Sequence, residues 1–159
     1  VAATGCAVAL GEQGEGLPPV REISEFLASQ PGWEALLVAP LDCTVAVHEP
    51  CSQRNSLGGA RPVFDLLARI PCARVLGLSG NDQCCGGAGV YPLAQPDMAG
   101  QLRADKIDAM RSAGCGYIVT ANIGCALQLG AGAREAGLAV EILHPVTLLA
   151  RQLGFKEQT

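Results

Sequence analysis

Thr44-Val45-Ala46-Val47-His48-Glu49-Pro50-Cys51 runs from a β-branched, apolar segment straight into a proline and a cysteine. The first five residues read as a buried strand, and Pro50 ends it. Three other segments repeat the arrangement. Residues 74–78 lead through a short loop to Cys84 and Cys85, residues 117–121 lead to Cys125, and residues 1–4 lead to Cys6. Further strands are expected at 36–39, a weak one, and at 139–143. Amphipathic segments at 20–30, 60–70, 93–113, 126–136 and 146–153 predict helices between them. In the second of these Val63, Leu66, Leu67 and Ile70 share one face, and Pro71 marks its end. The stretch 95–113 sets Met98, Leu102, Ile107 and Met110 among Arg103, Asp105, Lys106, Asp108 and Arg111, the pattern of a half-buried helix stopped by Gly114. Strand–helix alternation of this kind implies an α/β fold, a mostly parallel sheet with helices on both faces. Sites in such sheets gather where strands end and helices begin. Four strand-to-helix turns that each carry a cysteine are therefore expected on one edge of the sheet.

Composition narrows the chemistry. The 159 residues are 49% hydrophobic and only 4% aromatic, so a core of Ala, Val, Leu and Ile is expected. A net charge of −4 with scattered basic residues argues against nucleic acid, whose binding needs a concentrated Lys/Arg face. No apolar run has membrane-spanning length, and no basic segment precedes a hydrophobic one as in a secretory leader. Eight cysteines are the anomaly. Disulfides dominate small secreted domains with weak cores, whereas a well-filled α/β core points to a reducing, cytoplasmic setting. There, clustered cysteines imply metal or redox chemistry, and single ones imply packing.

The densest signal is Asp82-Gln83-Cys84-Cys85-Gly86-Gly87-Ala88-Gly89. A disulfide between neighbouring cysteines closes a strained eight-membered ring, but two adjacent thiolates can bind different irons of one polynuclear cluster. The glycines let the backbone pass close and aim N–H groups at sulfur. A zinc ion in an interaction module is the alternative, although zinc sites usually come as Cys-x-x-Cys pairs and none exists here. Thirty-two residues lie between Cys51 and Cys84, and thirty-nine between Cys85 and Cys125. These separations suit ligands collected from strand ends, and the four thiolates Cys51, Cys84, Cys85 and Cys125 match the ligand set of a [4Fe–4S] cluster. No G-x-G-x-x-G fingerprint supports a nucleotide at Gly86–Gly87–Gly89.

The series His48-x-Pro50-Cys51, Cys84-Cys85-Gly86 and Gly124-Cys125 resembles the cysteine-rich CCG domain, which heterodisulfide reductases share with the iron–sulfur subunits of glycolate and lactate oxidases. Val45 to Arg54, Cys84 to Tyr91 with Gln95-Pro96, and Thr120 to Cys125 are similar to the glycolate oxidase type, and the likeness runs from about Thr44 to Gly154. The resemblance implies a cluster domain that takes electrons from a flavin-containing oxidase subunit and passes them to a quinone or another carrier, with a 2-hydroxy acid upstream. It also implies other redox subunits as partners, and through them a peripheral membrane association. In the heterodisulfide reductase pattern the last motif is Cys-x-x-Cys, and five thiolates hold a non-cubane cluster that attacks disulfides. Here Asn122 takes the first of those two positions, which favours an ordinary four-thiolate cluster over disulfide chemistry. Family members usually carry a ferredoxin-like segment and a first copy of the domain ahead of this one. Residues 1–42 thus read as the tail of a preceding repeat, the Gly/Pro-rich linker 13–19 and the start of this domain, with 43–159 as the CCG unit itself. An echo between Gly5-Cys6-Ala7 and Gly124-Cys125-Ala126 agrees with a duplication.

The remaining residues have plainer readings beside sharper ones. Cys6 ligates a second centre, joins this one or is a buried thiol. Cys43, Cys72 and Cys115 are expected to be small packed hydrophobes. His48 is expected to cap its strand end, with a hydrogen bond to a thiolate or a proton-donor role as the alternative. His144 precedes Pro145, which suits the first position of the next helix. Arg54 either offsets cluster charge or is solvated, and Asn122 is expected to cap the following helix.

Overall fold

A computed structural model describes residues 1–12 and 19–155; most of the expected linker, residues 13–18, lies outside the described residues. Four parallel strands, β1 (Thr44–His48), β2 (Arg74–Gly77), β3 (Tyr117–Thr120) and β4 (Glu141–Leu143), form one sheet in the order β2-β1-β3-β4. The α/β class and the parallel sheet expected from the sequence are present. Around the sheet lie helices α1 (Thr4–Glu12), α2 (Ile23–Ala28), α3 (Cys51–Ser56), α4 (Arg61–Leu67), α5 (Tyr91–Ala94), α6 (Pro96–Ala113), α7 (Ile123–Glu135) and α8 (Pro145–Gln152).

Alternation along the strands builds two cores. Val45, Val47 and Val119 face one side and pack with Val63, Leu66 and Leu67 of α4 and Leu148 and Leu149 of α8. Ala46 and Ile118 face the other, with Ile107 and Met110 of α6 and Leu129 and Ala133 of α7. Strands buried on both faces must be apolar at every position, which is why β1 shows no polar alternation. The chain leaves β1 for β2 on one side and returns to β3 on the other. The resulting topological switch point opens a crevice at the carboxyl ends of β1 and β3.

Several elements depart from the sequence expectation. Residues 1–4 form no strand: Ala2 makes a single bridge to Glu22, and α1 begins at Thr4. Residues 36–39 also stay out of the sheet. Leu37 there is 95% exposed, and Ala39 donates its N–H to the Gln152 carbonyl at the end of α8. The helix expected over 93–113 is two helices, because Pro96 forces Gln95 out of helical geometry (φ −137°, ψ 64°). Gly114, left-handed at φ 54°, ends α6 as expected. Among the described residues no helix is long and apolar enough to cross a membrane.

Backbone-to-backbone packing fixes the cysteine loops. A Cβ on Gly124 would stand 2.7 Å from the Gly87 carbonyl oxygen, and one on Gly87 would stand 2.7 Å from that of Gly124. Gly86 combines φ +78° with a Cβ position 2.8 Å from the Ala99 carbonyl oxygen. The loop after β2 therefore lies directly on the first turn of α7 and on α6, an approach that only glycine permits. Gly124→Ala should destabilise the fold by about 1–3 kcal/mol through overpacking. Gly130→Ala in the same helix meets only the flexible end of Arg134, at 3.4 Å, and should stabilise by about 0.5–1 kcal/mol. Denaturant titration of the two variants checks the opposite signs.

His144 supplies a pH dependence. Its Nδ1 accepts the Val146 N–H at 3.2 Å and caps α8, so the ring is neutral, and burial lowers its pKa below 6.5. The unfolded chain then binds the proton first as pH falls. The stability tied to a neutral His144 is complete above 6.5 and drains away between 6.5 and the depressed folded value. His144→Asn keeps a capping acceptor and removes the proton. Its curve of unfolding free energy against pH should be shallower below 6.5 by up to about 1.4 kcal/mol per pH unit, as read by urea melts at several pH values.

Candidate metal centre

Three strand ends deliver four thiols to the crevice. Pro50 follows β1 with extended geometry and hands the chain to α3, of which Cys51 is the first residue. Cys84 and Cys85 stand in the loop between β2 and α5, and Cys125 is the third residue of α7. All four line one cavity of about 330 Å³, together with Ser52, Gly87, Ala88, Gly89, Asn122, Ile123 and Gly124. Cys85 and Cys125 are buried, whereas Cys51 and Cys84 are half-buried.

The vicinal thiols engage different partners. Cys84 faces Cys51 and accepts the Gly86 N–H at 3.3 Å. Burial raises its pKa above the ordinary thiol value, and the neighbouring Cys51 and Cys85 add to the rise. Cys85 instead takes a hydrogen bond from Cys125, which lowers its pKa to about 6 with help from the Gly87 N–H and the charge of Lys106. Cys125 is pushed upward by the same bond, by burial and by the other three thiols. Four sulfurs this close cannot all ionise without a compensating cation, and a thiophilic metal replaces their protons. This donor set fits iron or zinc.

His48 lies beneath them. Its Nδ1 is 2.9 Å from Thr120 Oγ1, a link that ties the end of β1 to β3, and its ring lies within 4.8 Å of the Cys85 and Cys125 sulfurs. Burial and the nearby Lys106 lower its pKa to about 3, so the imidazole is neutral at ordinary pH and has no ionisable proton to donate there. Asn122 caps α7, accepting from Gly124 N at 2.9 Å and Cys125 N at 3.4 Å, and its Nδ2 donates to Ser52 Oγ at 3.3 Å. Its amide is thus engaged in holding α7 and α3 together. Arg54 is not simply solvated: its guanidinium donates to the Asn81 carbonyl. Asn81 in turn accepts from Glu49 N at 3.0 Å and donates to the Val47 carbonyl at 2.9 Å, which braces the β2 loop against the end of β1.

Cys6 does not join the four. It occupies the third position of α1, is exposed, and lies outside the cavity lining. Gly5 and Cys6 nevertheless open α1 as Gly124 and Cys125 open α7, so the sequence echo is also an echo of helix position. Of the three expected packing cysteines Cys115 is buried and Cys43 half-buried, but Cys72 is exposed, in a left-handed turn at φ 65°. Lys106 was hidden from sequence reading among the charges of α6, yet it is 1% exposed. The signal lay in its spacing: seven residues after buried Ala99 and four before buried Met110, it occupies the apolar stripe.

Comparison with known proteins agrees with this geometry. The chain is 32% identical over 148 residues to the glycolate oxidase iron–sulfur subunit of Escherichia coli, covering 84% of this chain and 36% of that protein. It is 32% identical over 114 residues to a probable glycolate oxidase iron–sulfur subunit of Bacillus subtilis (70% and 26%). With lactate utilization protein A of Macrococcus caseolyticus it shares 25% over 115 residues (72% and 47%). The chain thus spans roughly a quarter to a half of the relatives it matches. Residues 45–130, which contain all four cavity cysteines, match the CCG cysteine-rich domain. With more than half of its length inside that match, the chain belongs to the CCG cysteine-rich domain family.

Proposed function

We propose that Cys51, Cys84, Cys85 and Cys125 hold an iron–sulfur cluster, of the [4Fe–4S] type, and that the chain is an electron-transfer module of a cytoplasmic assembly oxidising a 2-hydroxy acid such as glycolate or lactate. The observation that carries this reading is the convergence of four thiols, distant in sequence, on one cavity at the carboxyl edge of a parallel sheet. The names of the relatives supply the hydroxy-acid context, and the resemblance to the glycolate oxidase type supports a flavin-containing partner as electron source. A bound cluster supplies one-electron redox chemistry. The chain's own residues do the rest. Gly86 N–H already points at the Cys84 sulfur and polarises it. The low pKa of Cys85 prepares one ligand in its anionic form. His48, neutral and buried, stands within 4.8 Å of the Cys85 and Cys125 sulfurs. Ile123, 73% exposed at the cavity rim, offers an apolar edge where a partner can exclude water.

The CCG unit is taken as residues 43–159, since β4 and α8 complete the sheet and its core beyond the matched region, with 1–42 as the tail of a preceding repeat, the linker and the start of this domain. Disulfide chemistry of the heterodisulfide reductase type, on a non-cubane cluster, is disfavoured by Asn122, whose amide is committed to capping. A second reading has a specific observation behind it: His48, Cys85 and Cys125 present their ligand atoms within 4.8 Å of one another, which suits a single zinc ion.

Protein prepared without oxygen should contain about four irons and as many acid-labile sulfides per chain, the content of one [4Fe–4S] centre. Serine at Cys84 or Cys125 should remove most of that iron, and serine at exposed Cys72 should leave it intact. Zinc without iron or sulfide would establish the second reading instead. Iron content unaffected by serine at Cys84 would refute the ligand assignment.

A further inference from the structure

Lys106 is 1% exposed, and among the described residues its hydrogen bond is a donation from Nζ to the Gly80 carbonyl. Among the same residues no carboxylate forms an ion pair with it. A lysine is almost never fully buried without a counter-charge, because an uncompensated ammonium loses its hydration and gains nothing in return. Burial disfavours the ammonium; the groups whose negative charge would favour it are Cys85, Asp82 and Cys84, with Arg54 opposing them. Two of the three are sulfurs of the vicinal pair, and Gly80 begins the loop that carries them. A neutral side chain could meet the Gly80 carbonyl equally well, so the hydrogen bond alone gives no reason for a charge here. An anionic centre above the lysine does.

We propose that Lys106 is a positioning residue of the metal centre: its buried ammonium, tied to the loop through Gly80, supplies the positive charge that lets the centre on Cys84 and Cys85 accept an electron. The inference rests on the cluster reading above. One electron enters from a one-electron donor, a partner's reduced flavin in that reading and dithionite in the experiment. No bond is made or broken, and the centre becomes one unit more negative. Removing a fixed positive charge next to it disfavours the reduced state more than the oxidised one.

Lys106→Met and Lys106→Arg, reconstituted without oxygen beside the unaltered chain, are compared by potentiometric titration with dithionite and by denaturant unfolding of the iron-free forms. In Lys106→Met the ratio of reduced to oxidised centre at a fixed potential should fall at least about tenfold, about 59 mV for a one-electron couple. Lys106→Arg should stay near the original. The iron-free forms should all unfold cooperatively, which shows that each variant is folded. A merely structural lysine would leave the potential unmoved. An unmoved potential in Lys106→Met, or an equal displacement in both variants, would overturn the proposal. Iron lost from Lys106→Met but kept by Lys106→Arg supports it, and iron lost from both overturns it. An original chain without iron would bring down the cluster reading and this inference together, whereas iron present with an unmoved potential removes this inference alone.

Discussion

Neighbouring thiols resist ionising together, and the site exists because the fold brings four of them into one cavity regardless. The convergence comes from the parallel register of β1 between β2 and β3, which sets three carboxyl ends side by side. Each end is then turned outward by a different local device. Pro50 ends β1 and starts α3 at Cys51. The Asn122 cap starts α7 so that Cys125 falls in its first turn. The loop after β2 lies against α7 and α6 through glycines on which a Cβ would stand only 2.7–2.8 Å from the facing carbonyl oxygens. Burial raises the pKa of Cys84, the hydrogen bond with Cys85 raises that of Cys125, and Cys85 is left as the readily ionised member. Thiols held this close are a donor set whose protons a thiophilic metal can replace.

Rigidity around the cavity follows from the same elements. The His48–Thr120 link joins the two strands that flank the switch point, and Asn81 ties the β2 loop to the end of β1 through two hydrogen bonds. Cys85 and Cys125 belong to the same packed core as Ile107, Met110 and Leu129. Two of the four sulfurs are therefore held in the packed core, while Cys51 and Cys84 lie nearer the surface.

Much of this was legible in the chain itself, for physical reasons. The apolar, β-branched run at residues 44–48 has no other stable place than a strand buried on both faces, and that context makes the sheet parallel. Vicinal cysteines followed by glycines have few uses besides a polynuclear centre, so Cys84 and Cys85 could be singled out, and Cys51 and Cys125 followed from their places after strands. Cap positions were legible too: Asn122 ahead of Ile-Gly-Cys and His144 ahead of Pro145 both act on the first turn of a helix, a short-range matter of backbone donors.

What needed the tertiary structure was everything that depends on neighbours remote in sequence. Residues 36–39 have strand-like side chains but run against the end of α8, where Ala39 donates to the Gln152 carbonyl, and do not add to an edge of the sheet; Cys6 starts a helix as Cys125 does but faces solvent. Lys106 looked like one more charge on an amphipathic helix. Its burial is decided by where α6 lies against the Gly80 loop, and that long-range packing has no local signature beyond a stripe position. Local composition determined which segments become strands, helices and cysteine-bearing turns, because those choices turn on contacts a few residues apart. Which thiols meet, and which lysine is buried against the Gly80 loop, was decided only when the chain closed on itself and remote groups came to share one low-dielectric space.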